Sequence, residues 1–192
     1  MNTIIAEVVE DQVHSYDVYH KLLDSRVIFV SEPIHDQAAS DICATILAKH
    51  AEGNEKISLF LNVAGGDTQS ILSIYDVMMT VQKNKTPIET VCMGSVMDAS
   101  VILLAAGTRG MRHATKHAVI APSELQAEHF IHSNLTDAKT LLKELQNDNK
   151  KIMQILAKHT KKTAAKISKD FKDIKYLTSK EAQNYGIIDK VI

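Results

Sequence analysis

Four apolar runs recur along the chain, at residues 27–30, 57–61, 88–93 and 118–121. Their starts are about thirty residues apart, the length of one strand and the helix that returns the chain to the next strand. Helical periodicity fills the intervals after the first and the second run. This alternation predicts an α/β fold whose strands run parallel and are joined by right-handed crossovers.

Two segments of moderate length, residues 36–50 and 69–81, are predicted to form helices that pack on this sheet. Their apolar faces are Ala39, Ile42, Cys43, Ile46 and Leu47 in the first, and Leu72, Tyr75, Val77, Met78 and Met79 in the second. A short last helix from Ser179 is predicted to end at Gly186, before a final short strand or tail.

A third helix, over residues 136–159, would be about 36 Å long. Asn134 and Thr136 are its candidate N-terminal caps. Because this length exceeds what a compact core needs, we expect the helix to project and pack on a partner. Asp148 and Asn149 interrupt its apolar stripe, which consists of Ala138, Leu141, Leu142, Leu145, Ile152, Ile155 and Leu156.

The composition fits one self-sufficient domain. A chain of 192 residues, 45% of them hydrophobic, can bury about 70% of its unfolded surface without a disulfide or metal. Cys43 and Cys92 lie in apolar runs, so both are predicted to be core residues of a protein from a reducing compartment. No apolar stretch is long enough to span a membrane and no signal peptide is apparent, so we expect a cytoplasmic protein. No cofactor and no bound metal are expected.

The formal charge of −1 conceals an uneven distribution. Residues 139–175 contain eleven lysines against four acidic residues, whereas the rest of the chain has eleven basic and nineteen acidic residues. The lysines are interleaved with an apolar stripe and come without arginines, which favours a solvated helix face or contact with an acidic subunit. Nucleic-acid binding is therefore not expected.

Two strand ends have the shape of a reaction site. At Gly65 and Gly66 a buried strand breaks and a helix begins, and these glycines permit positive φ and leave backbone N–H groups that can hold an anion. Such a turn is more often only a turn. A second strand ends on Gly94, and Asp98 then stands at the start of an apolar helix, beside its free N–H groups.

Residues that carry a family resemblance extend over about 5–192. They are Ser15-Tyr16-Asp17-Val18-Tyr19, Asn62 with Gly65-Gly66, Ser73-Ile74-Tyr75-Asp76-Val77-Met78, Cys92-Met93-Gly94, Leu103-Leu104-Ala105-Ala106-Gly107, His159-Thr160 and Tyr185-Gly186-Ile187-Ile188-Asp189. With these segments the chain resembles the proteolytic subunit of the Clp protease, a self-compartmentalising serine protease of two stacked heptameric rings.

The resemblance implies a ClpP/crotonase-like spiral of repeated β-β-α units in one domain, with a protruding handle strand and helix. Residues 1–20 correspond to the N-terminal axial segment and first helix, and 21–124 to the spiral core. The handle corresponds to 125–160, and the C-terminal core helices and tail to 161–192. A ring of such subunits, made of this chain alone or together with active subunits, is the implied assembly.

The positions of the family's Ser-His-Asp triad are all changed. Matching without gaps places Asp98 at the nucleophile and Ser123 at the histidine. Anchoring on His159-Thr160 and Tyr176-Leu177 places Ile174 at the aspartate, with Asp173 one residue away. A carboxylate is a poor nucleophile toward amides, and no imidazole stands at the base position to take and return the proton. We therefore expect a catalytically inactive ring subunit that modulates proteolysis.

The changed site leaves further expectations for individual residues. Gly65, Gly66 and Ala99 match the oxyanion hole, and we hypothesise that the Asp98 carboxylate fills it. Ser95 and Ser100 are interpreted as helix-start hydroxyls rather than as replacement nucleophiles.

Surface features of the family are matched only in part. His129 and His132 fall in the handle strand, where a ring contact is favoured over a shared metal, and Leu141, Leu145 and Ile152 are the predicted ring contacts of the handle helix. In the groove that the family uses for its AAA+ unfoldase, Phe60 and Val91 are suitable. Ser58, His113 and Thr115 are not, which weakens the prediction of unfoldase docking.

Two alternatives to an inactive subunit remain. One is a Clp-type endopeptidase that is active through unconventional residues. The other is a crotonase-like acyl-CoA enzyme that uses Asp98 and Glu124 as acid and base, although likeness of fold does not establish function.

Overall fold

In the computed structural model, the described residues are 4–9, 12–125 and 134–192. The strands are β1 (Ile4–Val9), β2 (Gln12–Asp17), β3 (Val27–Val30), β4 (Ile57–Val63), β5 (Ile88–Met97), β6 (Arg112–Ala114), β7 (Val119–Ala121), β8 (Leu177–Thr178) and β9 (Lys190–Val191). The helices are α1 (Val18–Asp24), α2 (Asp36–Glu52), α3 (Thr68–Lys83), α4 (Val101–Ala105), α5 (Leu135–Thr160), α6 (Ala164–Asp170) and α7 (Ser179–Tyr185).

The main sheet has the order β3-β4-β5-β6-β9, and all these neighbours are parallel. The parallel α/β arrangement predicted from the four apolar runs is therefore confirmed. The prediction missed β6, because Arg112–Ala114 is a three-residue strand whose arginine and histidine hide the apolar pattern. β5 is the longest strand and changes partner along its length, since Thr90–Cys92 pair with β6 and Ser95–Met97 with β7.

α2 and α3 follow the predicted segments and supply much of the core. Ile46 of α2 and Met78 of α3 are fully buried, as their periodicity indicated. Leu47 was predicted on the same face of α2, but 46% of it is exposed. The buried stripe of α2 is thus narrower than the sequence pattern, since Ala39 and Ile46 are buried whereas Ile42 and Cys43 are only half-buried.

α5 has two different halves. Asn134 caps it by accepting hydrogen bonds from two backbone N–H groups, as predicted. In the first half Leu141 and Leu142 are exposed, whereas Ile152 and Leu156 in the second half are buried in the core. The helix is anchored at its C-terminal half, and its N-terminal half presents an apolar stripe that the rest of the described chain leaves exposed.

The C-terminal elements match their prediction. α7 begins with a capping box formed by Thr178 and Glu181 and ends at Gly186, whose φ of 96° is the left-handed conformation expected after a helix. β9 then pairs with β6 and closes the sheet. No helix among the described residues is long and apolar enough to cross a membrane.

Candidate functional site

The first wall of the site is the turn between β4 and α3. Gly65 and Gly66 have φ values of 111° and 146°, as the glycine pair predicted. A Cβ on Gly66 would collide with the backbone of Ile34, its N atom being 2.5 Å away, because Ile34 and Gly66 form a parallel bridge there. Only glycine fits this close approach of two chain segments. Asp67 completes the turn by capping α3, accepting a hydrogen bond from the Ser70 N–H at 2.7 Å.

The second wall is the turn after β5. Asp98 has φ +50°, a conformation that non-glycine residues rarely adopt, and it opens a single 3-10 turn that leads into α4. Every residue of α4 is buried. Backbone strain of this kind costs about 1–3 kcal/mol and persists where the surrounding structure enforces it. The buried apolar α4 holds this turn, so the Asp98 side chain is presented at a fixed place.

The Asp98 carboxylate joins the two walls to a third segment. Its Oδ2 lies 3.1 Å from the position that a Cβ on Gly65 would occupy, and its Oδ1 accepts a hydrogen bond of 2.5 Å from the Ser123 hydroxyl. Ser123 follows β7 and is almost fully buried. The structure therefore brings together Gly65, Asp98 and Ser123, which the sequence had associated only through the family match.

Ile174 lies on the segment that leads into β8, and β8 pairs with β7. In this antiparallel pairing Ile120 faces Leu177. Ser123 and Ile174 each lie three residues beyond that pair, on the same side of it. The Ile174 side chain is 44% exposed and has no polar atom with which to orient a base.

Another carboxylate of that segment, Asp170, is engaged elsewhere. It accepts hydrogen bonds from Lys166 at 2.9 Å and from the Tyr185 hydroxyl at 2.7 Å. The hydrogen bond from Lys166 is the main cause that lowers the pKa of Asp170, followed by that from Tyr185. Asp170 therefore ties α6 to α7.

The two serines that flank Asp98 have structural roles. Ser100 is almost fully buried, and its hydroxyl donates to the carbonyl oxygens of Met97 at 2.5 Å and Val63 at 3.3 Å. Ser95 lies within β5 and faces Val119, so the interpretation of Ser95 as a helix-start hydroxyl is wrong. The longer extent of β5 is the reason, since the strand continues to Met97.

The polar interruption of α5 contacts the start of α3, beside the first wall, and the segment after β7 that carries Ser123. The Gln69 side chain, at the start of α3, donates to Asp148 at 2.9 Å, and Asn149 donates to Glu124 at 3.0 Å. Glu124 adjoins Ser123. The sequence flagged residues 148 and 149 only as a break in the stripe. Their spacing from position 69 and position 124 along the chain gave no signal that they tie α5 to the site.

The predicted partner groove contains a polar network. Phe60 is partly exposed and stacks on Phe29 with ring centroids 5.1 Å apart, whereas Val91 is only 2% exposed and offers little surface. Beside them Glu89 accepts from Ser58 at 2.6 Å and from Lys56 at 2.7 Å.

His113 completes that network, with Nε2 3.5 Å from Glu89. Burial opposes the charge of Glu89, but the hydrogen bonds from Lys56 and Ser58 outweigh it and lower its pKa. The Glu89 carboxylate and its hydrogen-bond partners thus lie in the groove where the family resemblance implies an apolar docking surface.

The residues predicted to form ring contacts differ in their exposure in the structure. His129 and His132 lie outside the described residues. Leu141 is exposed and Leu145 is half-buried, but Ile152 is only 1% exposed. Ile152 is therefore not a surface contact, because it packs inside the hydrophobic core of this chain. The described residues contain no cluster of three or more His, Cys, Asp or Glu side chains that could hold a metal ion.

A parallel sheet whose strand ends meet at a glycine pair and a strained acidic turn has the α/β architecture that the sequence resemblance implied. A family model described as Clp protease matches residues 10–192. The ATP-dependent Clp protease proteolytic subunit 1 of Thermobifida fusca (strain YX) is 35% identical over 181 residues, which are 94% of this chain and 80% of the relative.

A second similar relative is the protein of the same description from Mycolicibacterium paratuberculosis (strain ATCC BAA-968 / K-10). It is 35% identical over 175 residues, 91% of this chain and 82% of the relative. The chain belongs to the Clp protease family. The resemblance and the fold class predicted from the sequence are both confirmed.

Proposed function

We propose that this chain is a catalytically inactive, structural subunit of a Clp-type ring, which assembles alone or with active subunits and modulates proteolysis. The observation that carries the proposal is the hydrogen bond between Ser123 and Asp98. The residues at the base and nucleophile positions are bonded to each other as hydroxyl donor and carboxylate acceptor. Neither is arranged to attack a peptide carbonyl.

The chemistry of this pair argues against peptide hydrolysis. Asp98 is a weak nucleophile, and Ser123 is a buried hydroxyl without an imidazole to accept its proton. Ile174 has no charge with which to orient a base. In a serine protease of another fold, loss of the triad lowers the rate by about a millionfold. The same reasoning disfavours an endopeptidase that uses unconventional residues.

Ring assembly rests on what the subunit leaves uncovered. Members of the family generally form rings and associate with Clp ATPases. Leu141 and Leu142 form an exposed apolar stripe on the N-terminal half of α5, within the lysine-rich segment 139–175. A second subunit would bury this stripe, and the acidic remainder of the chain is complementary to its charge.

Partner choice follows from the same features. Both relatives are named as proteolytic subunits of an ATP-dependent protease, that is, as parts of a larger assembly. The polar network around Glu89 would weaken docking of an unfoldase that inserts apolar side chains. An active subunit in the same ring would then supply both the peptidase activity and the unfoldase contact.

Co-purification with an active Clp proteolytic subunit tests this function. The two chains are co-expressed, the tagged inactive chain is isolated, and the mass of the complex is determined by light scattering. The proposal expects a ring-sized particle that a serine-directed fluorophosphonate labels only on the active chain. A monomer at micromolar concentration, both alone and with the active subunit, contradicts it.

Two double variants on α5, a test and its matched control, show what holds the assembly together. Leu141→Glu with Leu142→Glu changes the exposed stripe and should abolish the particle without lowering the melting temperature of the monomer. Lys139→Glu with Lys143→Glu changes the charge by more on the same helix, but it leaves the apolar stripe intact. Loss of assembly in both pairs to the same degree would show that charge, rather than the stripe, holds the subunits together.

A further inference from the structure

A polar pocket of about 530 Å³ opens at the other end of α5, away from the changed triad. We call it the Arg109–Lys161 pocket, after two cations that line it. Its volume is in the range of small-molecule sites. The other lining residues come from the turn before β6 and its first residue, from the end of α5, and from α7 and the segment between α7 and β9. They include Gly110, Arg112, His159, Gln183 and Asp189.

The floor of the pocket is a neutralised ion pair. Arg112 is almost fully buried, and its guanidinium donates to both oxygens of Asp189, at 2.9 Å from Nε and 2.6 Å from Nη2. The Gly110 N–H also donates to Asp189, at 2.8 Å. The Asp189 carboxylate is thus fully occupied. It is unavailable to neutralise a further cation.

Arg109 and Lys161 are the uncommitted charges. Both are exposed, and neither forms an ion pair with any residue within the described parts of the chain. With Arg112 and Asp189 cancelling, two positive charges remain. The C-terminus of α5 contributes roughly half a negative charge. Arg112 donates to the His159 carbonyl there at 3.2 Å, which offsets part of that dipole. The pocket therefore remains positive.

The neutral imidazole in the wall agrees with a positive potential. Burial, followed by the charges of Lys158, Arg112 and Arg109, lowers the pKa of His159 to about 4. Its Nε2 is 3.1 Å from the Tyr75 hydroxyl. At neutral pH this histidine is an uncharged polar wall that does not add to the charge of the pocket.

The walls of the pocket are held in place by the C-terminal ends of α5 and α7, which pack on each other. Lys161 terminates α5 in the left-handed conformation with φ 59°, and Gly186 terminates α7. A Cβ on Gly186 would lie 3.2 Å from the Thr160 carbonyl oxygen, so the two ends are in close contact. The backbone that carries Lys161 is therefore fixed relative to the floor, and less ordering is needed when an anion binds.

We propose that the Arg109–Lys161 pocket binds a small anion that carries a phosphate group. Two uncommitted cations above a neutralised floor match the double charge of a phosphate, and a concave basic site raises the local concentration of anions. Inorganic phosphate and a small phosphate monoester share this chemistry. The proposal is independent of whether the chain hydrolyses peptides.

Calorimetric titration of the full-length protein tests the proposal with three probes: sodium phosphate, glycerol 3-phosphate, and sodium chloride at matched ionic strength. We expect a dissociation constant of about 1 mM or tighter for at least one phosphate probe. Binding of phosphate alone, of the monoester alone, or of both shows which of these ligands the pocket accepts. Binding of neither probe, or an equal response to chloride, overturns the proposal.

Variants locate the binding. Arg109→Gln with Lys161→Gln should weaken binding at least tenfold, while Lys116→Gln with Lys139→Gln, which removes the same charge from exposed positions elsewhere, should leave it unchanged. Melting temperatures in chloride buffer show whether each variant is folded. If the control pair weakens binding as much as the pocket pair, the attraction is general to the surface and the pocket is not the site.

Discussion

Substitution of Asp98 by alanine tests how the changed site is held. The Ser123 hydroxyl is buried and donates to Asp98. Loss of the acceptor leaves that hydroxyl unsatisfied, which costs about 1–3 kcal/mol. Removal of an anion from the start of the helical turn costs about 0.3–1 kcal/mol more. Alanine also tolerates the φ of +50° less well than aspartate does.

These contributions act in the same direction, so Asp98→Ala should lower the free energy of unfolding by about 2 kcal/mol. For a chain of this size, such a change lowers the melting temperature by about 4–8 °C. Circular dichroism melting curves of the wild type and the variant, at equal protein concentration, provide the measurement.

A double-mutant cycle assigns the effect to the bond itself. Ser123→Ala alone should destabilise by about 1 kcal/mol, because Asp98 is only half-buried and water can replace the donor. The double variant should show a coupling of about 1 kcal/mol or more between the two positions. Asp98→Gly, which relieves the backbone strain, should melt above Asp98→Ala. A strongly stabilising Asp98→Ala, or additive effects in the cycle, would refute the reasoning.

Three further outcomes follow from the geometry. Gly66→Ala should destabilise by more than about 3 kcal/mol, because its Cβ meets the backbone of Ile34. Gly110→Ala should cost only about 1–2 kcal/mol, because Gly110 has φ +85° but nothing within 4 Å of an added Cβ. Equal melting temperatures of the two variants would contradict this. Burial raises the pKa of Cys92 to about 12 and also raises that of the half-buried Cys43, so a thiol reagent at pH 8 should label native Cys43 first, read by mass spectrometry; faster labelling of Cys92 would contradict it. The unfolded chain binds a proton at His159 more readily than the folded one, so stability should fall as pH drops from about 6.5 toward about 4. In His159→Gln the melting temperature should depend less steeply on pH in that window. An unchanged pH dependence would exclude His159 as the cause.

The sheet and the helices could be predicted because their signals are local and periodic. The apolar runs at 27–30, 57–61 and 88–93 became β3, β4 and β5, and the 3.6-residue pattern gave α2 and α3. The strand β6 could not be found this way, since its buried Arg112 is paired with Asp189 far along the chain. A charge that is neutralised by a distant partner reads as a surface residue in the sequence.

The candidate site was predictable in its members but not in its contacts. Positive φ at Gly65 and Gly66 follows from residue type. The family match assigned Asp98 and Ser123 to two positions of the same triad. Their direct hydrogen bond depends on the pairing of β5 with β7, which brings the two turns together. The bond between Asn149 and Glu124 depends on where α5 lies on the core. Neither arrangement leaves a periodic trace in the sequence.

Hydrolysis of a fluorogenic peptide by the purified chain tests the central claim most directly. The chain is assayed alone, at the concentration where light scattering defines its assembly, beside an active Clp proteolytic subunit as the positive control. The account predicts no turnover above the buffer rate and no fluorophosphonate labelling. Turnover that is lost on Ser123→Ala or Asp98→Ala while the assembly persists would contradict it, because the pair would then be a working catalytic group.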